Sequence, residues 1–285
     1  MSARNWNLFY SAALPSRHMR PTIGPYDNVL AGTMLFTLVE PHRGQEVAYN
    51  RWYERDHFYA GCLIGKGWFA GKRWVATKSL KDLRFPTPSP FIADPAAGSY
   101  LSTYWIHKGE DAEAIAWGSE QVKWLHDNDR MYDARDHIHT LMYVLRAATE
   151  RDEDSVPVAI ALDHPWTGVV AAMVDRAEGV EPRAFTAWLH DEILPPIIEG
   201  SSTALVVGAT PIPLPPGAPV FQPENPGHDR RQLLLGFLDG DPAEAVGTYR
   251  ALAAAVEASG QGSVSYVAPF LATIPGTDTY TDQLW

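Results

Sequence analysis

The stretch Tyr49-Asn50-Arg51-Trp52-Tyr53-Glu54-Arg55-Asp56-His57 decides how this chain is read, because the pattern of its start recurs. Farther along, Phe185-Thr186-Ala187-Trp188-Leu189 repeats the aromatic-x-x-Trp pattern at an offset of 136 residues, from 49 to 185. Helical spacing surrounds both copies, over residues 43–64 and 183–198. Around the first copy, apolar β-rich runs at 29–39, 68–77, 100–107 and 137–145 and a second helical stretch at 111–128 give the order β-α-β-β-α-β. Around the second, strands are expected at 156–162, 203–209, 231–238 and 263–270, with a helix at 242–259. That last helix carries its own punctuation: Asp241 as N-cap, Pro242 at the first position, Gly260 and Gly262 at the end. Proline-rich segments at 85–95 and 211–226 fall at the same point of each half and interrupt regular structure.

A β-α-β-β-α-β unit folds as a ferredoxin-like antiparallel sheet with both helices on one face. Strands 29–39 and 137–145 are apolar on both sides, so the bare face also needs a cover. The expected fold class is therefore α+β: two ferredoxin-like repeats packed sheet to sheet as an intramolecular, pseudo-dimeric α/β barrel, with a ligand cavity between the sheets. The expected boundaries are an N-terminal extension at 1–28, a first repeat at 29–150 and a second, degenerate repeat at 151–285.

Composition narrows the function. The chain has 285 residues, with 10 Trp, 12 Tyr and 10 Phe, an aromatic load suited to a bulky core or an apolar cavity. With 23 basic against 34 acidic residues the net charge is −11, which repels a phosphate backbone and argues against a nucleic-acid partner. A single cysteine, Cys62, permits no internal disulfide, and no apolar run approaches the roughly 20 residues that span a bilayer; the expectation is a cytoplasmic protein with no membrane partner, as monomer or homodimer. Walker, dinucleotide-binding, nucleophile-elbow and His-Glu-x-x-His motifs are all missing.

The run Tyr49-x-x-Trp52-Tyr53-x-x-Asp56-His57, followed by Gly67 and Phe69-x-Gly71-x-Arg73-Trp74, resembles the EthD-like branch of the dimeric α/β-barrel superfamily, here as a tandem fusion of two repeats. The resemblance implies the barrel fold and a small-molecule cavity. It extends to cofactorless monooxygenases, isomerases, cyclases, decarboxylases and dehydratases, with haem-binding relatives farther off. The second repeat departs from it, with Glu192 and Ile193 where the first has Asp56 and His57. Any His-dependent site therefore belongs to the first half.

Several side chains are candidates for chemistry. Tyr53 and His57 lie four apart on one helix face, with Tyr49 a turn earlier and Asp56 beside the imidazole. A histidine so placed can serve as general base; the plainer alternative is a core histidine bonded to a carbonyl. Arg73 shares a strand face with Phe69, Gly71 and Val75, either inward as an anion anchor or outward in a surface ion pair. Tyr104, with Tyr100 and Ser102, can donate a hydroxyl to a developing oxyanion. Alternation puts His137 and His139 on one face, as cavity-mouth groups or, with a third ligand that the sequence does not show nearby, as metal ligands. Trp52 and Trp74 complete the candidate substrate-binding walls. The leading expectation is a cofactor-independent lyase or isomerase, without a metal, acting on a hydrophobic aromatic or polyketide-like molecule. The alternatives are a non-catalytic small-molecule binding protein and a haem- or metal-dependent oxidoreductase on the same fold.

Overall fold

A computed structural model describes residues 30–213 and 227–285. The expected N-terminal extension and most of the second proline-rich segment lie outside the described residues. Eight strands form one closed antiparallel barrel in the order β1-β3-β2-β8-β5-β7-β6-β4. They are β1 (Ala31–Pro41), β2 (Trp68–Val75), β3 (Tyr100–His107), β4 (Arg135–Glu150), β5 (Gly168–Arg176), β6 (Thr203–Ile212), β7 (Arg231–Leu238) and β8 (Gly262–Ala272). Within the ring, the first four strands follow the order β4-β1-β3-β2 and the last four the matching order β8-β5-β7-β6. The two joins between these sets differ. Strands β4 and β6 pair over eight positions, from Met142 opposite Ile212 to Glu150 opposite Leu205, whereas β2 and β8 pair at only Trp74–Ala272 and Val75–Leu271.

One expected strand is displaced. Residues 156–162 hold a short 3-10 turn, Val158–Ile160, and the first strand of this half is instead the apolar run Gly168–Arg176. Pro157 lacks the N–H that a ladder needs, while Val169–Val174 is buried at every position, as a strand covered on both faces must be.

Aromatic side chains crowd the barrel interior. Phe36, Trp74, Trp105, Tyr143, Phe237, Tyr266 and Phe270 meet there with no exposed surface, in the largest apolar cluster of the described residues. An eight-stranded barrel is just wide enough for side chains to fill it. The cavity described below lies on the outer face of this barrel and not between the facing sheets.

Helices cover the outer face. α1 (Glu46–Trp52) runs on through π turns at Tyr53–His57 and Tyr59–Leu63, and with α3 (Asp111–Asp127) it covers the first four strands. The short α2 (Lys78–Lys81) follows β2. α4 (Pro182–Trp188), a π turn at Leu189–Ile193, α5 (Leu194–Ile198) and α6 (Pro242–Ser259) cover the last four strands. The caps of α6 are those expected: the Asp241 carboxylate accepts from the Ala243 N–H, and Gly260 closes the helix at a φ of 69°. Beyond β8, the chain crosses back to α1. There the Asn50 amide donates to the Thr277 carbonyl, Arg51 pairs with Asp278, and Leu284 is fully buried.

Candidate functional site

The candidate site lies outside the barrel, between the outer face of β1 and β4 and the helices that cover it. It is a cavity of about 160 Å³ that is partly open to solvent. From β1 come Leu35, Thr37 and Val39, whose neighbours Phe36 and Leu38 point into the barrel; from β4 come His137, Thr140 and Met142. Tyr53, His57, Gly61 and Cys62 reach it from the π turns after α1. Ile115, Gly118, Ser119 and Val122 form the α3 wall, and Met131, Arg135 and Ile212 complete the surround. An engineered apolar cavity of roughly 150 Å³ admits benzene, so the space suits a single aromatic ring.

The His57 ring is clamped. It stacks on Trp52 at a centroid distance of 4.6 Å and an angle of 19°, and the edge of Tyr53 meets it at 5.3 Å. A Cβ placed on Gly61 would lie within 2.9–3.2 Å of three imidazole atoms, so the glycine makes room for the ring. Trp52 is fixed in turn by a 2.9 Å hydrogen bond from its indole to the Arg130 carbonyl and by stacking on Tyr132. Nδ1 of His57 is buried and has no hydrogen-bond partner among the described residues. Burial first, then the Arg135 charge, pushes the His57 pKa down to about 3, so the ring is a neutral imidazole at pH 7. The plainer sequence reading, an imidazole bonded to a carbonyl, is not what the structure holds.

Arg135 supplies the charge. Its guanidinium makes no hydrogen bond or ion pair among the described residues; it lies over the Trp52 ring at 4.9 Å, and burial lowers its pKa. Beside it His137 Nδ1 shares a 2.8 Å hydrogen bond with Thr140 Oγ1, which shares another of 2.8 Å with Thr37 Oγ1. Burial and the Arg135 charge push the His137 pKa down to about 4.

The expected site residues divide into three groups. Tyr53, His57 and His137 line the cavity. A second row stands behind them: Trp52 under His57, and Tyr104, whose hydroxyl shares a 2.9 Å hydrogen bond with that of Tyr53. Tyr49 and Arg73 are buried in the same layer. Arg73 is neither inside the barrel nor on the surface; it donates to Asn50 at 2.8 Å and Glu54 at 3.2 Å and sits over the rings of Tyr53 and Tyr100. The third group is elsewhere. Asp56 does not hold the His57 ring; its carboxylate pairs with Arg130. Trp74 points into the barrel. His139 also lies inside, its Nε2 2.6 Å from the Tyr143 hydroxyl and its ring against Phe36 and Phe91.

His137 and His139 are separated by a β-bulge. Val39 pairs with His137 and Leu38 with His139, so Ile138 is the extra residue and the alternation inverts across it. The sequence reading missed Arg135, although Arg135 and His137 stand two apart at the start of β4, before the bulge, where alternation places them on one face. The Gly118 gap in the α3 wall carried no comparable signal.

No protein-family model and no curated protein matches the sequence. Solved structures resemble the fold at low identity. An anthrone oxidase-like protein is 11% identical with a TM-score of 0.49, over 87% of this chain and 95% of that one. A haem-binding protein from Thermus thermophilus is 11% identical with a TM-score of 0.45, over 90% and 94%. A variant of Rhodococcus jostii RHA1 DypB in complex with haem is 10% identical with a TM-score of 0.48, over 89% and 96%. Similarity at this level assigns neither a family nor an activity.

Proposed function

We propose that the first half of the chain is an acid–base enzyme for a small, apolar, single-ring molecule, with His57 as the proton acceptor. The observation that carries this reading is the clamped, neutral imidazole with a buried, unpartnered Nδ1 at the wall of a ring-sized cavity. Buried polar atoms are mostly paired; of the several unpartnered ones among the described residues, His57 Nδ1 is the one whose residue lines the cavity. In the proton-transfer step, an imidazole nitrogen lone pair takes a proton from an acidic C–H or O–H of the substrate. The bonding electrons stay on the substrate as an enolate or phenolate, and His57 returns the proton at another atom. A neutral imidazole of depressed pKa is a weak base in the empty cavity. An anion forming beside Arg135 offsets the guanidinium charge and raises the His57 pKa toward its ordinary value, so proton transfer and anion formation support each other. Tyr53, held by Tyr104, keeps its phenol protonated through burial and serves as a donor.

In this reading the chain is a duplicated ferredoxin-like unit with repeats at 29–150 and 151–285, forming an internal pseudo-dimer. The matching strand orders and the π turns at Tyr53–His57 and Leu189–Ile193 support the duplication. Among the described residues, no three His, Cys, Asp or Glu side chains converge on a metal position.

Hydrogen–deuterium exchange tests the proposal on simple probe molecules and requires no identified substrate. One-ring ketones and phenols are incubated with the protein in D2O and read by proton NMR. The wild type is expected to accelerate exchange of at least one probe tenfold or more over a folded His57→Gln variant. Equal rates for the two proteins, each folded by circular dichroism, would remove His57 from the chemistry.

A further inference from the structure

The charge balance of the cavity is unusual. Its described lining holds one guanidinium, Arg135, two histidines that are neutral at pH 7, and no carboxylate. Other buried or half-buried cations of this chain have partners: Arg73 has Asn50 and Glu54, Arg231 has Asp175, Lys81 has Ser99 and Glu40, and Arg84 has three backbone carbonyls. Among the described residues, the Arg135 guanidinium makes no hydrogen bond or ion pair; it lies over the face of Trp52, and Asp133 reaches it only through a longer-range charge interaction. A partly buried charge without a bonded counter-ion costs free energy, and an anion bound in contact with it relieves that cost. A guanidinium binds a carboxylate through two parallel N–H donors, a geometry that a lone ammonium does not offer. Beside it, the His137–Thr140–Thr37 chain offers further hydrogen-bonding groups. The opposite walls are mainly apolar, with Leu35, Ile115, Val122 and Met142, and the one α3 hydroxyl there, Ser119, donates to the Ile115 carbonyl; this suits a ring.

We infer that the cavity takes a single-ring aromatic carboxylate, with its carboxylate on Arg135 beside His137 and its ring among Leu35, Ile115, Val122 and Met142. This rests on reading the cavity as the ligand site and adds the chemical class and orientation of the ligand. The carboxylate end lies at the start of β4 and the ring extends toward α3. With the carboxylate on Arg135, the guanidinium charge is offset on binding, so that part of the depression of the His57 pKa is relieved before the proton moves rather than by the anion formed in the step.

Calorimetric titration at pH 7 with benzoate, benzyl alcohol and toluene separates the two readings. These three probes share one ring and differ in charge and polarity. The wild type is expected to bind benzoate at least tenfold more tightly than benzyl alcohol. Arg135→Gln should erase that preference while leaving benzyl alcohol affinity within twofold, and Arg135→Lys should restore only part of it. If benzyl alcohol and toluene bind and benzoate binds no better, the anion assignment fails and the ring-sized site stands. If none of the three binds the wild type, both readings fail. An unchanged benzoate preference in Arg135→Gln would also overturn the assignment to this residue.

Discussion

The helix layers over the two sets of strands start from the same plan and end differently. In the second half, α6 turns Ala245, Val246, Tyr249, Leu252 and Val256 toward the sheet, and Leu189, Leu194, Ile198, Val206 and Leu234 fill the space beneath. His190, buried there, is satisfied by the Thr149 hydroxyl at 2.8 Å and lies 3.5 Å from Gln232. In the first half, α3 fully buries only Asp111, Ala114 and Leu125, and presents Gly118 and Ser119 where α6 presents bulk. The result is a cavity instead of a core, and a histidine with an unpartnered nitrogen instead of a satisfied one. On the first face small side chains on α3 leave space under the helices, where the described residues of the second face pack bulk against the sheet.

The largest effect expected from this comparison is on acid stability. His57, His139 and His190 are pushed down to about 3 and His137 to about 4, all by burial. Unfolded histidines titrate near 6.5, so below that pH the unfolded chain binds more protons than the folded one. Stability is full above pH 6.5 and falls as pH drops through the window between 6.5 and about 3, with a limiting slope of about four protons from these four rings. Melting temperature against pH checks this; a flat profile from pH 7 to 4 would contradict the burial of these four rings. A ligand that pairs with Arg135 should soften the first-half contribution and leave that of His190 unchanged.

A smaller effect concerns packing. Leu189→Ala opens a hole in a filled layer and should cost about 3 kcal/mol, within the range for buried leucines. Val122→Ala only widens an existing, partly open cavity and should cost less than about 1 kcal/mol. Urea unfolding of the two variants measures the difference, and equal costs would mean that the halves are packed alike.

How far the sequence carried the fold follows from where its signals were local. The aromatic-x-x-Trp helices, the capping of α6 and every strand position but that of β5 depend on neighbours in the chain and were legible. The exchange of 156–162 for Gly168–Arg176 was not, because the two apolar runs are close together and only pairing with β7 and β8 distinguishes them. The site was legible in its helix and illegible in its strand. His57 follows from periodicity, whereas the bulge at Ile138 is set by the register against Leu38 and Val39, far away in the chain. Asp56 shows the same limit: adjacency to His57 suggested a pair, but successive helical residues diverge, and the carboxylate found Arg130. The return of the C-terminal residues onto α1 was likewise a tertiary event without a periodic trace.

The most direct test of a ligand site in the first half is NMR of the histidine side chains during titration with benzoate and benzyl alcohol, in the wild type and in Gly118→Leu. A Cβ at Gly118 first meets Trp68 at 3.4 Å, ordinary contact, and leucine is the better helix former, so the variant should keep its stability within about 1 kcal/mol while filling the cavity. At least one probe is expected to move the His57 and His137 imidazole signals in the wild type and neither to move those of His139 or His190, with the response abolished in Gly118→Leu. Shifts centred on His139 or His190, or a full response in the filled variant, would contradict it.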